Sequence, residues 1–167
     1  VALVDNFPTF FSGTIEENIR RVRPNISSTE FDDVLEISGL KNIAKDLSEG
    51  LATPLDITGS SLSQAHKLTI ALARALASSP NLLLLDETIN KLDKHAQVYL
   101  KKNLDKIGDG RTLVIATNDL RFVLDFDWIL VLENGEVVGQ GQHKDLMKQC
   151  PLYVQLIEME KTLSFDT

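Results

Sequence analysis

The sequence predicts an α/β fold in which helices cover a parallel β-sheet. Two apolar runs, at residues 82–85 and 112–116, have the length and composition of buried strands. An amphipathic helical pattern at residues 93–107 lies between them. Strands that are joined through a helix pair in parallel, so this alternation predicts a parallel sheet with helices on its faces.

The bulk composition indicates one globular domain. The 167 residues are 43% hydrophobic and 25% charged, which suits a chain with a packed core. A formal charge of −7 argues against nucleic acid as a partner, because binding to a phosphate backbone requires clustered cations. Cys150 is the only cysteine, which excludes an internal disulfide and suits a reducing compartment. No apolar run reaches the roughly 18–20 residues of a membrane span.

One strand and two helices are predicted in the first part of the chain. Residues 1–4 have the pattern of a strand. Thr14 and Glu17 form a capping-box pattern at the start of the first helix. The second helix should have Ser28 or Thr29 as its N-cap, because an apolar stripe of helical period follows directly.

The remaining elements follow from turn residues and periodicity. A loop is predicted at residues 48–61, and Ser63 opens a helix that Pro80 ends. Asn134 and Gly135 are the central residues of a predicted hairpin turn. The other predicted elements are the hairpin strands at 128–132 and 136–138 and two helices at 143–147 and 153–161.

Two adjacent acids, Asp86 and Glu87, follow the apolar run at residues 82–85. Open α/β sheets bind ligands at the carboxyl ends of their strands. In phosphate-loop ATPases the first acid supports Mg²⁺, and the second orients or deprotonates the attacking water. The pair therefore indicates a phosphoryl-transfer site, and the simpler alternative is that Asp86 only caps the following turn.

An ordered set of motifs extends over nearly the whole chain. Residues 62–76 read Leu-Ser-Gln-Ala-His-Lys-Leu-Thr-Ile-Ala-Leu-Ala-Arg-Ala-Leu, and residues 11–15 read Phe-Ser-Gly-Thr-Ile. The first resembles the Leu-Ser-Gly-Gly-Gln signature helix of ATP-binding-cassette (ABC) proteins, and the second resembles the segment after the Q-loop of ABC exporters. Further segments similar to that family are the D-loop at 88–93, the hairpin at 127–135 and the helix start at 141–146.

The resemblance implies an incomplete P-loop NTPase domain of the ABC type, with a parallel sheet core and a helical signature subdomain. Residues 1–80 would contain the Q-loop and the helical subdomain. Residues 81–167 would contain the Walker B strand, the D-loop, the H-loop and the C-terminal helices. Since Val1 is not preceded by an initiating Met, the chain reads as a piece that begins inside a domain.

The resemblance also implies roles for individual residues. Glu87 is the general base or the residue that positions water, and Asp86 supports Mg²⁺. Asn6 occupies the Q-loop position, which contacts the nucleotide and Mg²⁺. The other implied site residues are Ser63, Gln64, Ala65 and His66 of the signature, Asp93 of the D-loop, which contacts the opposite subunit, and Thr117 at the H-loop position.

The chain departs from the family pattern where phosphate would be bound. None of its 167 residues forms the Gly-rich loop, ending in Lys-Ser or Lys-Thr, that cradles the β- and γ-phosphates. We expect that loop before Val1, with a strand that lies beside the one ending at Asp86. Gln64, Ala65 and His66 stand in place of Gly-Gly-Gln, and a side chain at Gln64 should crowd the approach of a nucleotide held by a partner subunit.

Two loop positions differ as well. Asn6 replaces the Q-loop glutamine, although its shorter amide can still reach Mg²⁺ or water. Thr117 replaces the H-loop histidine, so the contact of an imidazole with the γ-phosphate is lost. His66 invites a catalytic interpretation, but a degraded signature position is the simpler account, and His95 and His143 are expected to be non-catalytic.

Two functions fit these observations. In the first, the chain is part of the ATP-binding domain of an ABC exporter that uses ATP and Mg²⁺. Its partners are then a transmembrane domain and a second nucleotide-binding domain, at the cytoplasmic face of a membrane. In the second, a degenerate domain acts as a non-hydrolytic dimerisation or regulatory module. Retention of Asp86 and Glu87 favours the first, the altered signature favours the second, and the chain alone should be inactive. A DNA-repair relative is disfavoured by the acidic charge.

Overall fold

A computed structural model describes residues 1–87, 91–92 and 94–163. The chain divides into two compact units, Val1–Thr117 and Asn118–Thr167. The strands of the first unit are β1 (Ala2–Val4), β2 (Gly13–Thr14), β3 (Pro54–Leu55), β4 (Leu82–Asp86) and β5 (Thr112–Ala116). Its helices are α1 (Ile15–Arg20), α2 (Ser28–Ser38), α3 (Leu40–Asp46), α4 (Gln64–Ala77), α5 (Lys94–Lys102) and α6 (Leu104–Gly108).

The central sheet of the first unit is parallel, as the sequence predicts. Its strand order is β1-β4-β5, and Leu84 pairs with Leu3 on one side and with Val114 on the other. Leu83 and Leu85 point to the opposite face and are buried, while Leu3 and Val114 are exposed. Helix α4 packs against β1, so the buried face lies on the side of the helices.

The prediction that a strand from before Val1 lies beside the strand ending at Asp86 is wrong. Strand β4 lies between β1 and β5 and pairs with both. A strand has only two hydrogen-bonding edges, so no further strand can pair with β4. Among the described residues, the unpaired edges of this sheet belong to β1 and β5.

Helix caps explain where the early helices begin. The Thr14 hydroxyl and the Glu17 carboxylate form the predicted capping box of α1. The N-cap of α2 is Ser27, not Ser28 or Thr29 as predicted from the sequence. Ser27 has the extended backbone of an N-cap, and it forms a reciprocal capping box with Glu30 three residues later.

The predicted helix at 93–107 is divided in two. Helix α5 ends at Lys102 and α6 begins at Leu104. Between them, Asn103 donates its side-chain N–H to the Tyr99 carbonyl at 2.9 Å. The Asn103 backbone, with φ of −110° and ψ of 8°, departs from helical geometry and marks the break between the two helices.

The predicted loop at 48–61 contains short regular elements. A single 3₁₀ turn lies at Gly50–Ala52, and β3 follows it and pairs antiparallel with β2. The pairing connects the start of α1 to a segment about forty residues later, and Ile15 N–H also donates to the Thr53 carbonyl at 3.1 Å. The composition of the loop concealed this pairing because β3 has only two residues.

The second unit contains a hairpin and two helices: β6 (Ile129–Glu133), β7 (Glu136–Gly141), α7 (His143–Gln149) and α8 (Pro151–Leu163). The hairpin turn at Asn134 and Gly135 is confirmed, and both residues have positive φ. A hydrophobic core forms between the hairpin and the helices; its buried members are Ile129, Val131, Leu146, Cys150, Tyr153 and Ile157. Crossing a lipid bilayer requires a longer and more apolar helix than any found among the described residues of the chain.

Gly139 in β7 packs directly against the core of the second unit. A Cβ at this position would lie 2.7 Å from the Cys150 Sγ, closer than packed atoms approach. We therefore expect Gly139→Ala to lower the free energy of unfolding by about 1–3 kcal/mol, measured by urea denaturation. Gly108→Ala is the control, because a Cβ there meets no atom within 4 Å. Equal stability of the two variants would contradict this packing argument.

Candidate functional site

Asp86 and Glu87 lie at the carboxyl end of β4, the middle strand of the sheet. Both side chains are exposed. Glu87 N–H donates to the Ala116 carbonyl at 2.9 Å, and the Glu87 backbone has φ of 48°. A left-handed conformation is strained for a residue with a side chain and is found often at functional sites. The turn takes Glu87 out of the strand direction directly after Asp86.

Asn6 lies next to this acidic pair. It follows β1, which is the parallel neighbour of β4, so the carboxyl ends of the two strands meet. Its Nδ2 lies 3.5 Å from the Glu87 Oε2, at the outer limit of a hydrogen bond. Its Oδ1 is buried and has no hydrogen-bond partner among the described groups. The amide thus directs its donor at Glu87 and leaves an acceptor free.

The turn that presents Asn6 is formed by local side-chain bonds. The Asp5 carboxylate accepts a hydrogen bond from Phe7 N–H at 3.1 Å, which is the pattern of an Asx turn. Further on, the Arg74 guanidinium of α4 donates to the Thr9 carbonyl at 2.8 Å. Burial lowers the pKa of Arg74, and the negative charge of Asp5 opposes that shift. The bond from Arg74 ties the segment after β1 to helix α4.

The start of α4 contains the residues at the signature position. The Ser63 hydroxyl accepts a hydrogen bond from His66 N–H at 3.2 Å and caps the helix. Gln64 donates its side-chain N–H to the Asn6 carbonyl at 2.5 Å. Ala65 is buried and His66 is half-buried. The contact between Gln64 and Asn6 was not predicted, because 58 positions separate the two residues and no local pattern indicates it.

Two histidines of the first unit line a cavity. It has a volume of about 460 Å³ and lies between α4, α5 and the turn from α2 to α3, with His66 and His95 in its wall. Leu68, Leu72 and Leu85 are among its apolar lining. His143 belongs to the second unit, where its Nδ1 lies 2.9 Å from the Tyr153 hydroxyl. That contact, in a hydrophobic core, fits the expected structural role of His143.

The remaining predicted site residues are Thr117 and Asp93. Thr117 directly follows β5, whose last residue, Ala116, pairs with Asp86. Thr117 therefore lies at the same edge of the sheet as the two acids. Asp93, at the D-loop position, lies outside the described residues.

The described residues thus place two carboxylates and a carboxamide together, where parallel strands of an α/β sheet end. Carboxylate and carboxamide oxygens can bind the metal ion that accompanies the phosphates of a nucleotide. Fold and site together define a domain of the P-loop NTPase class.

Comparison with known proteins identifies the family. A family model described as ABC transporter matches residues 1–90, which is more than half of the chain. The chain therefore belongs to the ABC transporter family, and within it the chain corresponds to part of an exporter-type ATP-binding domain. The predicted family and fold class are confirmed, and so is the prediction that the chain is part of an exporter ATP-binding domain.

Individual relatives agree with this assignment. The chain is 34% identical to the uncharacterized ABC transporter ATP-binding protein YknV of Bacillus subtilis, over 99% of the chain and 27% of that protein. It is 36% identical to multidrug resistance protein pgp-1 of Caenorhabditis elegans, over 94% of the chain and 12% of that protein. The chain thus spans about a quarter or less of the length of these relatives.

A solved structure shows the same fold. It is that of a bacterial Atm1-family ABC exporter with ATP bound, and its TM-score with this chain is 0.86. The identity is 28%, and the match covers 96% of this chain and 28% of the exporter chain. The chain therefore has the fold of part of that exporter.

Proposed function

We propose that this chain supplies the acidic part of an ATP-hydrolysing site in an ABC exporter. One observation carries the proposal: Asn6, Asp86 and Glu87 come together at the ends of two adjacent parallel strands. Glu87 is the general base that activates water, and Asp86 supports the metal ion. Hydrolysis at this site drives transport through a transmembrane domain at the cytoplasmic face of a membrane.

The residues present fit a magnesium ion. Mg²⁺ binds oxygen ligands, and the exposed Asp86 carboxylate provides one. The buried Oδ1 of Asn6, which has no hydrogen-bond partner among the described groups, is a second acceptor available for the metal ion or its water. When bound, Mg²⁺ neutralises the charge that develops on the β- and γ-phosphates. The Asn6 Nδ2 is directed at Glu87, on the other side of the same amide.

Other parts of the site come from outside the 167 residues. The Gly-rich loop that cradles the phosphates is not in this sequence, and we infer that another segment or chain supplies it. A second nucleotide-binding domain completes the site. Toward it the chain would present Ser63, Gln64, Ala65 and His66 at the signature position and Asp93 at the D-loop position. Thr117, at the H-loop position, offers a hydroxyl where the family has an imidazole.

A change at Asp86 tests the metal assignment. In the full-length gene product, Asp86→Asn should raise the Mg²⁺ concentration that gives half-maximal ATP hydrolysis by about tenfold or more, since the amide removes a charged metal ligand. Phosphate release measured against Mg²⁺ concentration reports this change. Asp109→Asn, at an exposed position outside the site, is the control.

The outcome at Asp86 separates the candidate functions. An unchanged Mg²⁺ requirement in Asp86→Asn would contradict the metal assignment. A wild-type protein that binds ATP but releases no phosphate would favour the non-hydrolytic dimerisation or regulatory module.

A further inference from the structure

The first residue of α4 contacts the loop that carries Asn6. Gln64 Nε2 donates to the Asn6 main-chain oxygen at 2.5 Å, across 58 positions of sequence. The Asn6 side chain in turn lies 3.5 Å from Glu87. One residue, Asn6, therefore stands between the start of the signature helix and the proposed general base.

The orientation of Asn6 depends on its backbone. At 3.5 Å the contact with Glu87 is too long to hold the amide in place by itself. The next side chain, Phe7, is 85% exposed and so does not anchor the loop. Arg74 fixes the loop at Thr9, three positions further on. The bond from Gln64 acts on Asn6 directly.

We propose that Gln64 is a positioning residue for the acidic site. By holding the Asn6 carbonyl, it directs the Asn6 amide toward Glu87 and couples the start of α4 to the general base within one chain. The functional part of this inference rests on the proposed ATPase function. The family's Leu-Ser-Gly-Gly-Gln pattern has glycine at this position, and glycine has no side chain with which to form the bond. The coupling is therefore a property of chains that carry a hydrogen-bond donor here.

Removal of the Gln64 side chain should leave the fold intact. Helix α4 is capped by Ser63 and anchored by buried residues such as Leu68 and Ile70, none of which depends on Gln64. Gln64 itself is only half-buried and begins the helix, where alanine is well tolerated. Variants at this position therefore test the contact with Asn6 without unfolding α4.

The first test uses ATP hydrolysis by the full-length gene product. Gln64→Ala should lower kcat by about 3- to 10-fold, the equivalent of one hydrogen bond, with the KM for ATP within about twofold of wild type. Gln64→Glu keeps the length of the side chain but turns an oxygen toward the Asn6 carbonyl, so it should lose at least as much. Gln64→Lys restores an N–H donor and should recover most of kcat. Gln149→Ala, an exposed helical glutamine of the second unit, is the control.

The second test uses no ATP and is made on the same full-length gene product. Deuterium exchange of the peptide that contains residues 5–9 should be faster in Gln64→Ala and Gln64→Glu than in wild type or Gln149→Ala, while α4 exchanges as before. Unchanged exchange at residues 5–9 in both variants would overturn the contact. Faster exchange with unchanged kcat would overturn the positioning role. If the wild-type protein hydrolyses no ATP, the proposed function fails, and the exchange result alone decides whether Gln64 holds Asn6.

Discussion

Glu87→Gln is expected to lower the rate of ATP hydrolysis by the full-length gene product about 100-fold or more, with ATP still bound. Glutamine preserves the size of the side chain and its approach to Asn6, but it cannot accept a proton from water. The carboxylate is exposed at the end of β4, where the left-handed backbone turns it out of the strand. Phosphate release at saturating ATP measures the rate, and a fluorescent nucleotide measures binding.

A second glutamate at the end of a strand provides the matched control. Glu133 is exposed and ends β6 in the second unit. Glu133→Gln should therefore hydrolyse ATP at the wild-type rate. If Glu87→Gln and Glu133→Gln have the same activity, Glu87 is not the general base. A parallel loss of ATP binding in Glu87→Gln would instead assign its carboxylate to nucleotide binding.

Asn18→Ala should cause the largest loss of stability among the polar substitutions considered. Asn18 is 1% exposed and forms three hydrogen bonds to the backbone. Its Oδ1 accepts from Phe11 N–H at 2.8 Å, and its Nδ2 donates to the carbonyls of Phe11 at 2.8 Å and Thr14 at 2.9 Å. Their removal takes away three hydrogen bonds of the part-buried Phe11 and Thr14 backbone, so we expect a loss of about 2–4 kcal/mol in the free energy of unfolding.

Urea denaturation of the chain measures this effect, because the substitution acts on the fold and requires no nucleotide. Asn25→Ala is the control, since Asn25 is exposed, and its effect should stay within about 0.5 kcal/mol. A loss below about 1 kcal/mol in Asn18→Ala would show that water satisfies the freed backbone groups of Phe11 and Thr14.

The elements that have a continuous apolar pattern were predictable from the sequence. The strand at 112–116 agrees residue for residue with β5, because an apolar run that follows Gly108 and Gly110 and ends at polar residues has few alternatives. The errors occurred where one or two polar residues decide the structure. Ser27 caps α2 one residue before the predicted start, and Asn103 breaks a helix whose apolar pattern continues without interruption.

The candidate site was predictable to a similar extent. Asp86 and Glu87 follow an apolar strand, and Asn6 follows another, so parallel pairing is enough to bring them together. The bond from Gln64 to Asn6 depends on side-chain rotamers and on the path of the chain through the helices, which no local pattern encodes. The Leu-Ser-Gly-Gly-Gln pattern of the family has glycine where this chain has Gln64. The structure shows that the Gln64 side chain contacts the Asn6 carbonyl.

The pairing of β1 with β4 also has a consequence for how the chain folds. Ala2 lies beside Leu83, so the sheet cannot form until more than eighty residues have left the ribosome. Closing so long a loop is entropically costly, and contacts of high sequence separation slow folding. The hydrogen bonds within helices α1 to α4 are local in sequence, so these helices can form during this interval. The apolar residues of β1 stay unpaired until β4 has been synthesised, and until then they can aggregate. Synthesis rate and chaperone access should therefore influence the yield of folded protein.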